Sequence, residues 1–215
     1  MENIKIGPGS VVSINFELYV NGILVDSTNE GEPFEYLHGR NNVVPGLERA
    51  LSGKKPGDKF EVSVLPKDGY GERDENLVET ISRKDFMADN PGLELEPGQV
   101  LKFVDANNVV NSVVIRVFNK KIVVFDYNPL LAGETLLYKV QVVDVREPTD
   151  TEWQAGAPAS LFSKIGFTLD DGNGDDDSGD LDELEEDGYE HIIQDEALGQ
   201  LGDFSEVLHI EDIEE

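Results

Sequence analysis

An antiparallel α+β class, with a barrel as its close variant, is what this 215-residue chain predicts, and three observations carry the prediction. The segment VVSINFELYV (11–20) alternates apolar and polar residues and runs straight into Asn21-Gly22, the dipeptide of tight hairpins. One segment ahead of residue 148, VPGLERALSG (44–53), carries a good helical stripe. The last convincing strand, LLYKVQVVDVRE (136–147), alternates again, and the chain beyond it is dominated by acids. Sheet with little helix, joined by short turns, is the signature of that class.

Each element follows from its own pattern. In 11–20, Val12, Ile14, Phe16, Leu18 and Val20 share one face, and Ser13, Asn15, Glu17 and Tyr19 the other, which describes a half-buried strand. ILVD (23–26) begins the return strand, STNEGEP (27–33) is a polar loop, and FEYLHG (34–39) is a short extended piece. In 44–53, Pro45 suits the first helical position, Val44, Leu47, Ala50 and Leu51 form one stripe, and Gly53 can take the left-handed cap. PGDK (56–59) is a turn before the alternating strand FEVSVLP (60–66). LVETISRKDF (77–86) reads as a strand followed by a helical turn, and NPGLELEPGQ (90–99) as turn-rich. Strands are expected at 100–104, 109–118 and 121–126, and no internal repeat is visible.

Charge divides the chain. Residues 1–150 hold 24 acidic and 16 basic side chains, a net of −8, which opposes binding to nucleic-acid phosphates. Residues 151–215 hold 21 acids against Lys164 alone, a net of −20, the composition of an acidic, largely disordered extension. Halophilic adaptation would acidify the folded part as well, and the 16 Lys and Arg there argue against it. The absence of cysteine excludes disulfides, thiolate metal sites and thiol catalysis. The start, MENIKIGPGS, has neither the basic nor the apolar region of a leader, and no apolar run approaches the ~18 residues of a membrane span. A cytoplasmic monomer is the expectation.

No catalytic constellation is visible: there is no nucleophile elbow, phosphate-binding glycine loop or zincin helix. His38 is the single histidine in the first 190 residues and lacks the partners of a site, so it reads as a scaffold ring bonded to backbone in a tight turn. DGNGDDDSGDLD (171–182) has acids at calcium-loop spacing but lacks the sixth-position glycine and the final glutamate, and it reads as a solvated acidic linker. Neither metal nor cofactor is expected. Phe16, Phe34, Val43, Val44, Leu47, Tyr70 and Tyr138 are, on periodicity alone, either simple core or the lining of an apolar pocket.

Taken together, VVSINFELYVNGILVDS, EYLHGRNNVVPGLERALSGKKPGDKFEVSVLPKDGYGERDENLV and LLAGETLLYKVQVVDVRE resemble the FKBP-type peptidyl-prolyl isomerases, specifically their SlyD-like branch. The likeness covers residues 5–148 and nothing in the tail. It implies an FKBP-type antiparallel sheet wrapped on a short helix, formed by 1–73 and 128–148. It also implies a small β-rich insert-in-flap domain at 74–127 that binds unfolded chains, with 149–215 as the acidic tail. Strands 109–118 and 121–126 would then form the insert's own core, its client surface, or both. The resemblance implies a proline pocket with Val43, Val44 and Leu47 as floor and Phe34, Leu131 and Tyr138 as walls beside Phe16. Tyr70 would donate its hydroxyl to a substrate carbonyl, and Asp26 would polarise the pocket edge. The implied clients are unfolded or proline-containing polypeptides, with a basic protein as a partner for the tail.

Three departures stand out. Phe16 falls where the family usually has a tyrosine whose hydroxyl contacts the aspartate, so that bond has no donor here. Pro129 stands where the family often has a histidine. The tail holds two histidines and no cysteine, so the nickel-binding role of some members is not carried over. The alternative to an isomerase with chaperone activity is therefore a catalytically weak holdase or docking module; retention of Tyr70 and Asp26 favours the enzyme.

Overall fold

The structure, a computed structural model, describes residues 4–28, 31–96, 98–104 and 110–164. The run 171–182, His191, His209 and the rest of the acidic segment from 165 on lie outside the described residues. In chain order the elements are β1 (Val11–Val20), β2 (Ile23–Ser27), β3 (Phe34–Leu37), α1 (Pro45–Leu51), β4 (Lys59–Val64), β5 (Val78–Ser82) and α2 (Arg83–Asp89). There follow β6 (Val100–Val104), β7 (Val110–Phe118), β8 (Ile122–Asp126), β9 (Leu136–Arg146), α3 (Asp150–Ala155) and α4 (Ala159–Lys164). The described chain divides into two compact units, one running to Gly69 and resuming at Thr135, the other Tyr70–Glu134.

The first unit is an antiparallel sheet in the order β2-β1-β9-β4, with β3 paired to β1 beyond the end of β2. The expected hairpin is present: Asn21 (φ 51°) and Gly22 (φ 85°) join β1 to β2 through two left-handed residues, the turn whose twist matches the strands. The inner face carries the expected stripe, with Val12, Ile14, Leu18, Val20, Leu136 and Val142 all at 1% exposure or less. Helix α1 buries Leu47 and Leu51. Its two turns match the apolar stripe; at its end Ser52 donates its backbone N–H to Glu48 O, and Gly53 takes the left-handed position (φ 77°). Helix and sheet approach closely at Gly46, where a Cβ would lie 2.4 Å from Val64 Cγ1.

Two further elements lie at the start of the stretch expected to be an acidic, largely disordered tail. Helices α3 and α4 follow β9 directly, and Ala157 and Leu161 are buried. Their contacts with Arg146 and Glu35 place them over the outer face of the sheet near the start of β1. This cover explains why Val11 and Ser13 are buried although they sit on the face predicted to be wet. Local chemistry starts α3: Thr149 Oγ1 accepts from Glu152 N (3.2 Å) and Glu152 Oε2 accepts from Thr149 N (2.9 Å), a reciprocal cap.

The second unit is a four-stranded sheet in the order β5-β8-β7-β6. Leu95, Val113, Ile115, Val123 and Phe125 form its core, with Phe86 and Met87 of α2 packed on it. The Phe86 and Phe125 rings meet edge to face at 5.1 Å. The apolar residues of β7 and β8 thus supply this unit's own core.

Candidate active site

The inner face of the first sheet assembles side chains that are far apart in sequence. Register places Leu18 of β1 beside Tyr138 of β9, and Tyr138 beside Val62 of β4. One row along, Phe16 lies beside Val140, and Val140 beside Phe60. The Phe16 ring is the hub of an aromatic cluster. Its centroid is 6.1 Å from that of Phe34, with the rings perpendicular, and 6.1 Å from that of Tyr138 at 62°. Both are edge-to-face arrangements that match a positive ring edge to a negative ring face. Phe16 is fixed in the backbone as well, its N–H donating to Thr28 Oγ1 (3.0 Å) and its carbonyl accepting from Thr28 N (3.1 Å).

Asp26 reaches this face through an irregularity. Ile23 pairs with Val20 and Leu24 with Tyr19, but the register then slips so that Asp26, not Val25, pairs with Leu18. In a regular strand Asp26 would share the face of Leu24, which is 50% exposed. The extra residue Val25 turns the carboxylate to the side of Leu18 and Tyr138, as bulges beside functional sites commonly do. Asp26 accordingly lies within β2 and not in the loop beyond it.

Val44 and Leu47 are buried at the start of α1, and Val43 is half-buried just ahead of it. His38 anchors this segment from behind. Its Nδ1 lies 3.0 Å from Tyr36 Oη and its Nε2 3.0 Å from Ser52 Oγ, so both ring nitrogens are engaged. Burial pushes the imidazole pKa down, against the opposing pull of Glu48. The neutral ring is therefore scaffold, as its isolation in the sequence suggests, but its partners are two side-chain hydroxyls and not the backbone expected there. Glu48 accepts from Gly39 N at 2.7 Å, binding the loop to the helix.

Seven of the nine expected pocket residues thus belong to the first unit: Phe16, Asp26, Phe34, Val43, Val44, Leu47 and Tyr138. Tyr70, half-buried, and Leu131, fully buried, belong to the second. In that unit the sequence reading missed a polar knot. Asp126, 5% exposed, accepts from Asn128 N (3.0 Å), Asn128 Nδ2 (2.8 Å), Arg116 Nη1 (3.2 Å) and Arg73 Nη1. Burial alone would raise its pKa, but the bonds from Asn128 and Arg73 outweigh this and hold the carboxyl below the usual range. Asn128 also bonds the backbone of Asp74 in both directions, at 2.8 and 2.9 Å. These bonds tie together the two chain segments that open and close the sheet of this unit.

Apolar walls with few polar groups suit a site that works by shape and dryness. Comparison with known proteins gives that arrangement a lineage. The family model for FKBP-type peptidyl-prolyl cis-trans isomerase matches residues 2–104. The isomerase SlyD of Haemophilus influenzae is 43% identical over 148 residues, covering 68% of this chain and 75% of that protein. SlyD of Vibrio cholerae is 39% identical over 151 residues, 69% of this chain and 73% of the relative. SlyD of Escherichia coli K12 is 38% identical over 155 residues, 71% and 76% respectively.

The chain belongs to the FKBP-type peptidyl-prolyl cis-trans isomerases.

Within the family it is SlyD-like, and its antiparallel sheet with a short helix is the fold the resemblance implies. Among the described residues no group of three or more His, Asp or Glu is placed to hold a metal ion. No helix among them is long and apolar enough to cross a membrane. The elements that membership did not foretell are α3 and α4. Their signal was in the sequence: Thr149 and Glu152 stand at capping-box spacing, and Gly156 follows the last helical turn.

Proposed function

We propose that this protein catalyses rotation about Xaa-Pro bonds in folding polypeptides, using the inner-face pocket of the first unit. The observation that supports it most is the turning of Asp26 onto the row of Leu18 and Tyr138, beside the Phe16–Phe34–Tyr138 cluster. A carboxylate at the rim of aromatic walls suits recognition of a small apolar ring carrying a polar amide. Val43, Val44 and Leu47 form the floor for the proline, and Phe16, Phe34 and Tyr138 the walls; Leu131, which the resemblance adds, belongs to the second unit.

The chemistry requires no covalent step. An amide rotates over a barrier of ~18–20 kcal/mol because the twisted state loses resonance. A pocket that binds the twisted form better than either planar form lowers that barrier. Exclusion of water assists, since water hydrogen-bonds the polar planar carbonyl more strongly than the twisted one. Asp26 polarises the edge of that pocket, and Tyr70, named by the family resemblance alone, is the donor to a substrate carbonyl.

The second unit we assign to holding extended clients, with 74–127 as the functional insert. Its exposed apolar side chains, Leu77 at 42% and Val100 at 44%, support that role. The acidic segment after Lys164 we assign to a basic protein partner, on charge alone.

A protease-free proline-peptide isomerisation assay tests the central reading. The wild type should accelerate exchange, and Tyr70→Ala and Asp26→Ala should each lower kcat/KM by tenfold or more. No acceleration by the wild type would reduce the protein to a binding module, the reading that Phe16 in place of tyrosine favours. Replacing 74–127 by a short flap should remove client holding while sparing turnover on a tetrapeptide. Loss of both together would refute the division of labour.

A further inference from the structure

The segment after β9 is bonded to the structure that carries the pocket, at two separate places. The first is the loop 38–44, which delivers Val43 and Val44 to the start of α1. That loop turns through two left-handed residues, Gly39 (φ 87°) and Asn41 (φ 55°), and asparagine is among the few side chains that take this conformation readily. Asn42 holds the path through three side-chain hydrogen bonds. Its Oδ1 accepts from Leu37 N (2.8 Å), and its Nδ2 donates to Arg40 O (3.1 Å) and to Gly156 O (3.1 Å) at the end of α3. Beside it, the Arg40 guanidinium lies 4.3 Å from the centre of the Trp153 ring, and that ring packs on the backbone of Gly9.

The second place is β3, which carries Phe34. Glu35, the next residue, accepts from Ser160 Oγ of α4 (2.7 Å) and from Ser13 Oγ of β1 (3.1 Å). Ser160 and Leu161 line a small crevice with Pro33, Phe34 and Glu35. The far end of the segment is anchored where it leaves the sheet. Arg146 holds Glu152 through both carboxylate oxygens, at 2.8 and 2.7 Å.

We infer that residues 149–164 are a strap that sets the proline pocket from outside, with Asn42, Trp153 and Ser160 as positioning residues acting through the 38–44 loop and β3. None of the three is assigned to contact with the substrate. The inference rests on the reading of Val43, Val44 and Phe34 as pocket residues. Displacement of about 1 Å at a binding floor can reduce turnover by up to two orders of magnitude, so loosening the strap has leverage on the reaction without touching it.

The test uses full-length protein. Asn42→Asp keeps the acceptor for Leu37 N and removes both donors. Trp153→Ala removes the stacked ring, Trp153→Phe restores one, and Ser160→Ala removes the α4 bond to Glu35. Asn42→Asp and Trp153→Ala should each lower kcat/KM on a proline tetrapeptide by roughly tenfold, mainly through KM. Trp153→Phe should recover most of the loss, and Ser160→Ala should fall between. Trp153 is the sole tryptophan of the chain, so its emission reports directly whether Asn42→Asp has released the strap. Released emission with kcat/KM within twofold of wild type would overturn the inference. Amide exchange of residues 39–44, measured on the same variants, separates it from the isomerase reading. If the wild type proves inactive, that reading fails, and the strap still stands or falls on whether exchange in the loop accelerates at least fivefold in Asn42→Asp.

Discussion

Replacing Glu152 by glutamine perturbs the strap at its strongest bond and gives a result whose size and pH dependence can be worked out in advance. The carboxylate is 5% exposed and sits in a bidentate pair with Arg146, whose side chain is 38% exposed. Those bonds, helped by the Thr149 backbone and opposed by burial, hold its pKa down at about 2 against an ordinary 4.5. At ~1.4 kcal/mol per pH unit that difference is worth about 3 kcal/mol, and solvent screening on the Arg146 side reduces it to about 2. A folded pKa below the unfolded one means stability that is complete above pH 4.5 and lost as pH falls from there toward 2. Glutamine keeps the reciprocal cap with Thr149 and removes the charge. At pH 7 the variant should therefore be about 2 kcal/mol less stable, a fall of several degrees in the Tm of the first unit. Urea titrations followed by Trp153 emission measure this, and the gap between the proteins should close between pH 4.5 and about 2. A gap that stays constant over that range, or no gap at pH 7, would refute the assignment of the stability to this ion pair.

Gly46→Ala puts a methyl 2.4 Å from Val64 Cγ1, an overpacking that costs about 1–3 kcal/mol. Val64→Ala in the same chain should recover part of it in thermal melts, and additive losses would count against the clash. His38, with its folded pKa lowered by burial, contributes stability that is complete above about pH 6.5 and declines as pH falls through its depressed value. His38→Gln should flatten that limb of the stability-against-pH curve, and an unchanged slope would exclude the ring as its source. Asp126→Ala leaves Arg73 and Arg116 without their buried partner and should destabilise the second unit by about 3 kcal/mol. Amide exchange should accelerate in β5–β8 and not in β1 or β9; uniform acceleration would contradict a knot confined to that unit. Phe16→Tyr restores the hydroxyl that the family usually carries. If it bonds Asp26, a net gain near ~1 kcal/mol should raise kcat/KM roughly fivefold, while unchanged turnover would show the hydroxyl dispensable.

The sequence by itself determined whatever depends on local pattern. Period-two alternation placed β1 and β9, Asn21-Gly22 fixed their neighbouring hairpin, and Pro45 with the Leu47–Leu51 stripe placed α1. The inner-face residues Phe16, Leu18 and Tyr138 were legible for the same reason, since every second residue of a strand faces one way. The tertiary structure alone decided what depends on pairing between distant segments. The slip at Val25 turns Asp26 inward, and no alternation rule contains it, because a bulge is settled by the partner strand. Gly46 reads as an ordinary residue of the first helical turn, after Pro45, until Val64 is seen against it. Glu152 counts as one more acid of a tail until Arg146 closes on it and makes residues 149–164 part of the fold. Burial and an exact partner change what a charged residue is worth, and neither is written in the order of the residues.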